Sequence, residues 1–236
     1  MAKILDIPEL REKRFVFGDR RDGGRILAEM MEPYFSGRRD LMVLGIPSGG
    51  VPVAIEISRK LSLPMDLFIA RKIPVPGNPE AGVGALTLSG EIFLNQEMIR
   101  YLSLTQEDIE AEVQKVMREL MKRNQMFRQG KPEPDLKGKR VIVADDGLAS
   151  GFTMLAALKT LKQQGAKELV VAVPTGSGSA IQRIATECDY IICPNIRTGP
   201  YFAVAEAYRE WYDLEPSDVQ ALLQEKRADG CSRKST

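Results

Sequence analysis

Runs dominated by apolar residues alternate with amphipathic stretches along most of the chain, and this alternation predicts its secondary structure. Continuous apolar runs are typical of strands that are covered on both faces of a sheet. Such runs are LMVLGI (41–46), MDLFIA (65–70), VIVAD (141–145), ELVVAVP (168–174) and YIICP (190–194). Each is followed by a loop that contains Gly or Pro, and most of these loops lead into a stretch with helical spacing. This order of elements predicts an α/β fold with a mostly parallel sheet.

The helices are predicted from the spacing of their apolar residues and from capping residues at their starts. The first begins at Asp19 or Asp22 and ends near Phe35, before Gly37. The others are 51–61, the stretch that ends near Gly165, and 180–187. The longest, 106–129, begins behind Thr105 and has apolar residues at heptad spacing. Helices between parallel strands cover both faces of the sheet, so we expect a Rossmann-like architecture.

Three further segments complete the predicted organisation. GALTL and EIFLN, joined by Ser89-Gly90, indicate a β-hairpin, which together with the long helix forms an insertion at 85–130. The segment between the second strand and this hairpin, IPVPGNPEAG, is rich in Pro and Gly and is predicted to be a loop. Residues 15–227 are expected to form a single domain with a small hood from the termini. Residues 1–14 are predicted to be a loosely structured arm, and 228–236 a disordered tail.

The charge balance limits the partners of this chain. Its 33 Lys and Arg residues nearly balance 32 Asp and Glu residues, giving a formal net charge of +1 in 236 residues. No global field therefore favours nucleic acid or an anionic membrane. No apolar run approaches the ~20 residues of a membrane helix. The start lacks the apolar region of a secretory signal, so a cytoplasmic protein is expected. Any anion must be held by a local site.

The sequence contains no histidine. This excludes Ser-His-Asp and Cys-His catalysis and histidine-ligated metal sites, and it removes the usual general base at neutral pH. The three cysteines lack CxxC spacing, which argues against a zinc site or a disulfide framework. The chemistry must therefore rely on carboxylates, cations, backbone amides or a hard metal ion.

One segment, VIVADDGLASGFT (141–153), combines a strand, two acids, a loop of small residues and a helix start. Unpaired N–H groups at the helix start favour a phosphate, and Ser150 and Thr153 add hydroxyl donors. Asp145 and Asp146 follow the strand at about one sugar length from that position and can accept hydrogen bonds from two ribose hydroxyls. The segment therefore predicts a site for a phosphorylated sugar at the carboxyl end of a parallel strand.

Other sites share parts of this pattern. A strand, an acid, a glycine and a helix also occur in dinucleotide folds and metal sites, and a single Asp after a strand is often a helix cap. Two adjacent acids repel each other, however, and this favours a ligand over plain capping. The chain contains neither GxxxxGK[ST] nor a GxGxxG motif after a strand, which removes the two commonest nucleotide motifs.

The whole pattern resembles the signature with which type I phosphoribosyltransferases bind 5-phosphoribosyl-1-pyrophosphate (PRPP). This resemblance implies that Asp145 and Asp146 hold the ribose hydroxyls and act in catalysis. It also implies Mg²⁺ between the pyrophosphate and the ribose hydroxyls, bound by the two acids directly or through water. The residues that would bind the 5′-phosphate are Ala149, Ser150, Gly151, Phe152 and Thr153.

Two further segments resemble the pyrophosphate site of the same family. The loop PSGG after the first core strand offers the amides of Ser48, Gly49 and Gly50, although glycine is also common in ordinary βα turns. Arg71 and Lys72 follow the second strand, where the family has a basic pair; a solvated strand end is the alternative. Segments including FGDRRDGG and RKIPVPGNPEAGVGAL resemble a poorly characterised bacterial and archaeal branch, in which many members have a basic residue at the position of Ser48.

The acceptor is less defined by the sequence. Ala149 stands where the 6-oxopurine enzymes of the superfamily carry an Asp, which disfavours hypoxanthine and guanine. Tyr201 and Phe202 are the candidates for stacking on a base, and anchoring of their segment to the core is the alternative interpretation.

The predicted function is Mg²⁺-dependent transfer of the phosphoribosyl group from PRPP to a nitrogenous base, with release of pyrophosphate. Arg71 and Lys72 would stabilise the leaving group, and the glycine-containing loop after Lys72 would close over the reaction. A homodimer is expected, because the family pairs and the long helix has an apolar face. The alternatives are a PRPP-binding regulatory protein without transferase activity and, less favoured because its acids would be arranged as DxD, a phosphohydrolase.

Overall fold

Six parallel strands form the central sheet in the computed structural model, which describes residues 1–232 except for the side chains at 79, 80 and 229–232. In spatial order the strands are β1 (Lys3–Leu5), β10 (Tyr190–Ile192), β8 (Glu168–Ala172), β7 (Arg140–Ala144), β2 (Leu41–Gly45) and β3 (Met65–Leu67). All neighbours in this sheet pair in parallel. From β2 the chain continues outward to β3, and from β7 it continues outward in the opposite direction. The sheet therefore has its topological switch point between β2 and β7.

Helices cover both faces of this sheet, which confirms the predicted α/β architecture. Helices α1 (Arg20–Phe35) and α2 (Gly50–Leu61) pack on one face, and α5 (Phe152–Gln163) and α6 (Gly178–Ile184) on the other. Strand β7 shows how the sequence specifies two buried faces. Val141 and Val143 point to the α5 side, while Ile142 and Ala144 point to the α2 side. Because both sets are apolar, the strand is a continuous apolar run.

A second unit follows β3 along the chain, and its strands contact α5. It contains an antiparallel sheet of β4 (Ala70–Val75), β5 (Asn78–Thr87) and β6 (Ile92–Leu94), together with α3 (Gln96–Tyr101) and α4 (Gln106–Arg128). The hairpin predicted around Ser89-Gly90 is confirmed as β5–β6. Helix α4 is also confirmed, and it begins with a capping box formed by Thr105 and Asp108.

The predicted loop over residues 73–82 is wrong, because most of this segment is strand and belongs to a β-ribbon of β4 and β5. Gly77, with φ of +77°, provides the positive φ that the turn between the two strands requires. The register shifts on both sides of Pro74, so that residue is accommodated at an irregularity of the ladder. Ile73, Val83 and Leu86 pack in one buried cluster with Val116 and Leu120 of α4. Much of the apolar face of α4 is thus covered within the chain.

Both termini contribute more structure than the sequence predicted. The prediction of a loose arm at 1–14 is wrong for β1, which pairs with β10 and covers an edge that would otherwise expose unpaired backbone groups. Residues 15–18 pair with 206–210, and the rings of Phe17 and Tyr208 pack 5.7 Å apart. We call these two paired segments the terminal hood. The last helix, α7 (Pro216–Ser232), continues through part of the predicted tail, whose residues 233–236 lie outside those described.

Two short strands, β9 (Thr175–Ser177) and β11 (Asn195–Arg197), follow β8 and β10 at the carboxyl edge of the sheet. They pair with each other in parallel. Thr175 and Asn195 join these strands by a buried side-chain hydrogen bond of 2.6 Å. Within residues 1–232, none of the helices combines the length and apolar character needed to cross a bilayer.

Candidate active site

The loops after β2 and β7 meet at the switch point, so the fold brings the PSGG loop and the acid pair together. A Cβ atom at Gly49 would lie 1.9 Å from Oδ2 of Asp146, and one at Gly50 would lie 2.4 Å from the carbonyl oxygen of Ala144. Only glycine permits this close approach at the two positions. The amide of Gly50 donates to the carbonyl of Ile46, so we expect Ser48 and Gly49 to supply the available amides of this loop.

The loop predicted to bind the 5′-phosphate lies at the start of α5. The backbone N–H groups from Ala149 to Thr153 donate to no residue that the structure describes. The carbonyls of the same loop are fixed instead. Ser177 Oγ donates to the carbonyl of Ala149 at 2.7 Å, and Arg183 Nε donates to that of Ser150 at 3.0 Å. Free amides on a fixed loop at a helix start form a ready anion site.

Gly151 sets the shape of this loop. Its φ of +76° is unfavourable for any residue with a side chain, and an added Cβ would lie 3.2 Å from that of Ala180 on α6. Phe152 follows, with its ring beneath the guanidinium of Arg183 at 4.4 Å. The predicted set from Ala149 to Thr153 is therefore contiguous in space, with α6 supporting it from behind.

Asp146 is held by a residue that the sequence analysis did not single out. Arg20 Nε donates to Asp146 Oδ2 at 2.8 Å, and both side chains are almost buried. Arg20 also donates to the carbonyl of Tyr212, and its guanidinium stacks 3.8 Å from the ring of Trp211. Tyr208 donates its hydroxyl to the carbonyl oxygen of Asp146 at 2.5 Å. The only signal of Arg20 in the sequence was its position within FGDRRDGG, a segment noted there as part of the resemblance.

Asp145 has a different environment. Its Oδ1 accepts the backbone N–H of Asp146 at 2.9 Å, and no ion pair involves it among the described residues. Burial raises the pKa of Asp145 well above its ordinary value, and the charge of Asp146 raises it further. Burial also raises the pKa of Asp146, but Arg20 opposes this effect. The two acids are thus unequal: Asp146 has a cation partner, whereas Asp145 presents a carboxylate that lacks one.

Asp145 faces a cleft of about 500 Å³. Ser48, Arg71, Lys72 and Thr153 also line this cleft, so the structure brings three of the predicted pyrophosphate residues to Asp145 and to the last residue of the predicted 5′-phosphate loop. The opposite wall is α4, which the sequence analysis had not connected with ligand binding. It contributes Glu112, Lys115, Val116, Glu119 and Arg123. Arg71 Nε is ion-paired with Glu119 at 2.9 Å.

The two residues predicted to stack on a base lie in the segment between β11 and the terminal hood. Tyr201 is 83% exposed, while Phe202 is half-buried with its ring 5.2 Å from the guanidinium of Arg197. The same segment approaches the acid pair at Val204, whose side chain would contact a Cβ at Gly147 at 2.6 Å. Base stacking by Tyr201 and Phe202 stays a prediction.

The donor groups of the cleft are compatible with Mg²⁺. Over the described part of the chain, no group of three or more His, Cys, Asp or Glu residues forms a cage for a metal ion. Mg²⁺ is commonly bound in proteins by one or two carboxylates, with substrate and water oxygens completing its octahedron. Asp145 provides such a carboxylate, and because burial raises its pKa, a nearby cation would relieve the cost of its charge.

Comparison with known proteins agrees with this geometry. The family described as phosphoribosyl transferase domain matches residues 20–209. A curated Mycobacterium tuberculosis protein named "Putative phosphoribosyl transferase Rv0571c" is 35% identical over 214 residues, which cover 91% of this chain and 48% of that protein. The chain thus spans about half the length of the curated relative it matches.

Solved structures show the same fold. The crystal structure of TT1426 from Thermus thermophilus is 36% identical and has a TM-score of 0.72, covering 90% of this chain and 99% of that one. A hypoxanthine phosphoribosyltransferase from Staphylococcus aureus, at 13% identity and a TM-score of 0.50, covers 86% of this chain and 88% of its own. At that identity the likeness concerns the fold alone.

Proposed function

This chain belongs to the phosphoribosyl transferase family, and we propose that it transfers the 5-phosphoribosyl group of PRPP to a nitrogenous acceptor with release of pyrophosphate. The observation that carries this proposal is the placement of an acid pair between two sets of unbonded backbone amides. One set lies at Ala149–Thr153 and the other at Ser48 and Gly49, all at the switch point of the sheet. PRPP has a phosphate and a diphosphate that can accept from these amides, and between them ribose hydroxyls that can donate to the acid pair.

We assign the parts of PRPP to this site by charge and hydrogen-bonding capacity. The 5′-phosphate would accept from the amides of Ala149–Thr153 at the start of α5, with Ser150 and Thr153 adding hydroxyl donors. The ribose hydroxyls would donate to Asp145 and Asp146. The diphosphate would lie toward Ser48, Gly49, Arg71 and Lys72, which line or adjoin the cleft that Asp145 faces.

The transfer breaks the bond between C1 of the ribose and a pyrophosphate oxygen, and the electron pair leaves with pyrophosphate. The lone pair of the acceptor nitrogen forms the new bond to C1, and the acceptor gives up a proton when it carries one. Positive charge develops on the sugar ring during this exchange. Asp145 and Asp146 would stabilise that charge, while Arg71, Lys72 and the amides of Ser48 and Gly49 would stabilise the negative charge on the leaving group. The β4–β5 ribbon would exclude water, because hydrolysis of PRPP competes with transfer.

Mg²⁺ is part of this proposal, with Asp145 and Asp146 as its protein ligands, directly or through water. When bound, it would neutralise diphosphate charge and help to fix the ribose hydroxyls. The acceptor is expected to lie near Tyr201 and Phe202, and Ala149 disfavours the 6-oxopurines, as the resemblance implies. A homodimer and a cytoplasmic location stay predictions.

Calorimetric titration with PRPP, with and without Mg²⁺, tests the binding part of the proposal. We expect saturable binding that Mg²⁺ strengthens, and a loss of at least about 100-fold in affinity in the Asp145→Asn/Asp146→Asn double variant, since two charged hydrogen-bond acceptors are removed. Asp213→Asn is the control, because this exposed acid lies outside the cleft.

Turnover is then measured as pyrophosphate release with a panel of nitrogenous bases. Release that requires one base and both acids supports the transferase. Unchanged kinetics in the double variant would exclude the assigned site. PRPP binding without release with any base would favour the regulatory protein that the sequence analysis retained as the alternative.

A further inference from the structure

Arg123, on the wall of the cleft formed by α4, has no role in the interactions described so far. It is half-buried, and its guanidinium makes no hydrogen bond or ion pair with any residue that the structure describes. Burial lowers the pKa of Arg123, and the nearby charge of Arg71 lowers it further; Glu119 opposes both. A guanidinium has five donors, so one that is half-buried without an acceptor carries a desolvation cost.

Positive charge is in excess around Arg123, because the nearby carboxylates are bonded to other cations. Glu119 acts on both guanidiniums, but its carboxylate is bonded to Arg71. The other acid of this wall, Glu112, is bonded to Lys115 at 2.6 Å. The two carboxylates of α4 that line the cleft are thus bonded to other cations, while Arg123 lies near the charge of Arg71. Two arginines side by side are typical of a site for a multiply charged anion.

We propose that Arg123 binds the diphosphate of PRPP and of the pyrophosphate product, together with Arg71. This inference rests on the proposed function, because that function places the diphosphate in this cleft. It adds α4, an element outside the motifs that resemble the family, to the binding site.

The same geometry gives Glu119 an opposing role. Arg71 must release Glu119 before both of its donor edges are available to a diphosphate. Glu119 therefore competes with the anion, and removal of its charge should strengthen anion binding. A purely structural role for these residues would not give opposite effects of the two substitutions, Arg123→Gln and Glu119→Gln.

The test is calorimetric titration of the full chain with inorganic pyrophosphate in the presence of Mg²⁺. Arg123→Gln should weaken binding by about 10- to 100-fold, the range for a lost hydrogen bond to a charged group. Arg118→Gln, an exposed arginine of the same helix outside the cleft, is the matched control and should stay within about twofold. Glu119→Gln should strengthen binding by about two- to fivefold, as expected for a partly exposed ion pair.

Equal affinities of the Arg123→Gln and Arg118→Gln variants would overturn the inference, and so would weaker binding in Glu119→Gln. If PRPP binding still depended on Asp145 in that case, the proposed function would stand without Arg123. If the wild-type chain bound neither pyrophosphate nor PRPP, the proposed function and this inference would both fall.

Discussion

The candidate site has two walls that differ in how they can hold a phosphate. The amide wall is the loop Ala149–Thr153, which offers uncharged N–H groups and has two of its carbonyls fixed by Ser177 and Arg183. The cationic wall consists of Arg71, Lys72 and Arg123, which come from the β-ribbon and α4. One wall is set by the backbone at a helix start, and the other by long side chains from two separate elements.

The two walls also differ in how their polar groups are satisfied when no anion is bound. Unbonded amides at a helix start are ordinary for any helix and can be hydrated. Clustered cations repel one another, so the cationic wall uses Glu119 as an internal counter-charge for Arg71. The amide wall is therefore prepared for a phosphate, whereas the cationic wall must exchange an internal ion pair for an external one.

The acid pair lies between the two walls, and its two members also differ in their partners. Asp146 is fixed by Arg20 beneath the terminal hood. Asp145 faces the cleft without a cation partner, and its pKa is raised. We expect Asp146 to keep its position through Arg20 whether or not a ligand is bound. We expect the pKa of Asp145 to fall when a cation or a hydroxyl donor of the ligand binds next to it.

Replacing Arg20 should have the largest effect among the tests of this division. Arg20→Gln leaves the carboxylate of Asp146 without its cation partner in an almost buried position, so the free energy of unfolding should fall by about 3 kcal/mol. Arg25→Gln is the matched control on the same helix, with an expected change below about 0.5 kcal/mol because that arginine is exposed. Urea denaturation measures both. Equal losses in the two variants would show that the ion pair with Asp146 is not what stabilises this region.

Salt should separate the two walls. The affinity for inorganic pyrophosphate, which we assign to the cationic wall, should fall by about 10-fold between roughly 0.05 and 0.5 M salt because ions screen charged groups. The affinity for ribose 5-phosphate, assigned to the amide wall, should fall by about threefold or less, since neutral dipoles act over a short range. Both are measured by titration of the wild-type chain. Identical salt dependence would contradict the distinction between the walls.

Replacing Asp145 should have the smallest effect of these tests on the ligand-free protein. Unlike most substitutions, it should raise the free energy of unfolding. A raised pKa means that the folded state holds its proton more tightly, so this carboxyl costs stability as the pH rises above the ordinary Asp pKa of about 3.9. Asp145→Asn should therefore stabilise the ligand-free protein at pH 7 by about 1 kcal/mol, a rise in Tm of roughly 2–4 °C.

The gain from Asp145→Asn should shrink as the pH falls through the ordinary Asp pKa and vanish about one unit below it, where the wild-type carboxyl is protonated in both the folded and the unfolded state. Thermal unfolding at several pH values measures it, with Asp213→Asn as the exposed control. A loss of stability at every pH would show that Asp145 is not a strained charge in the folded protein.

The sequence predicted those parts of the fold and site that depend on neighbouring residues. The strand VIVAD, the two acids and the loop before α5 are contiguous, so their alternation and helix-start chemistry could be recognised directly. The ribbon of β4 and β5 was missed because Pro74 and Gly77 resemble loop residues, although the ladder accommodates one at an irregularity and the other in its turn. Strand β1 was missed because three residues at an edge carry little pattern.

The sequence by itself determined the parallel sheet, the acid pair at the end of a strand and the small-residue loop at the start of α5, because local periodicity and helix-start chemistry act over a few residues. Only the tertiary structure decided which partners those groups have. Arg20 reaches Asp146 across 126 positions of the chain, and α4 brings Arg123 to the cleft that Asp145 faces. Such pairings depend on how the helices and the ribbon pack around the switch point. Packing is set by the summed burial of many distant side chains, which no local pattern contains.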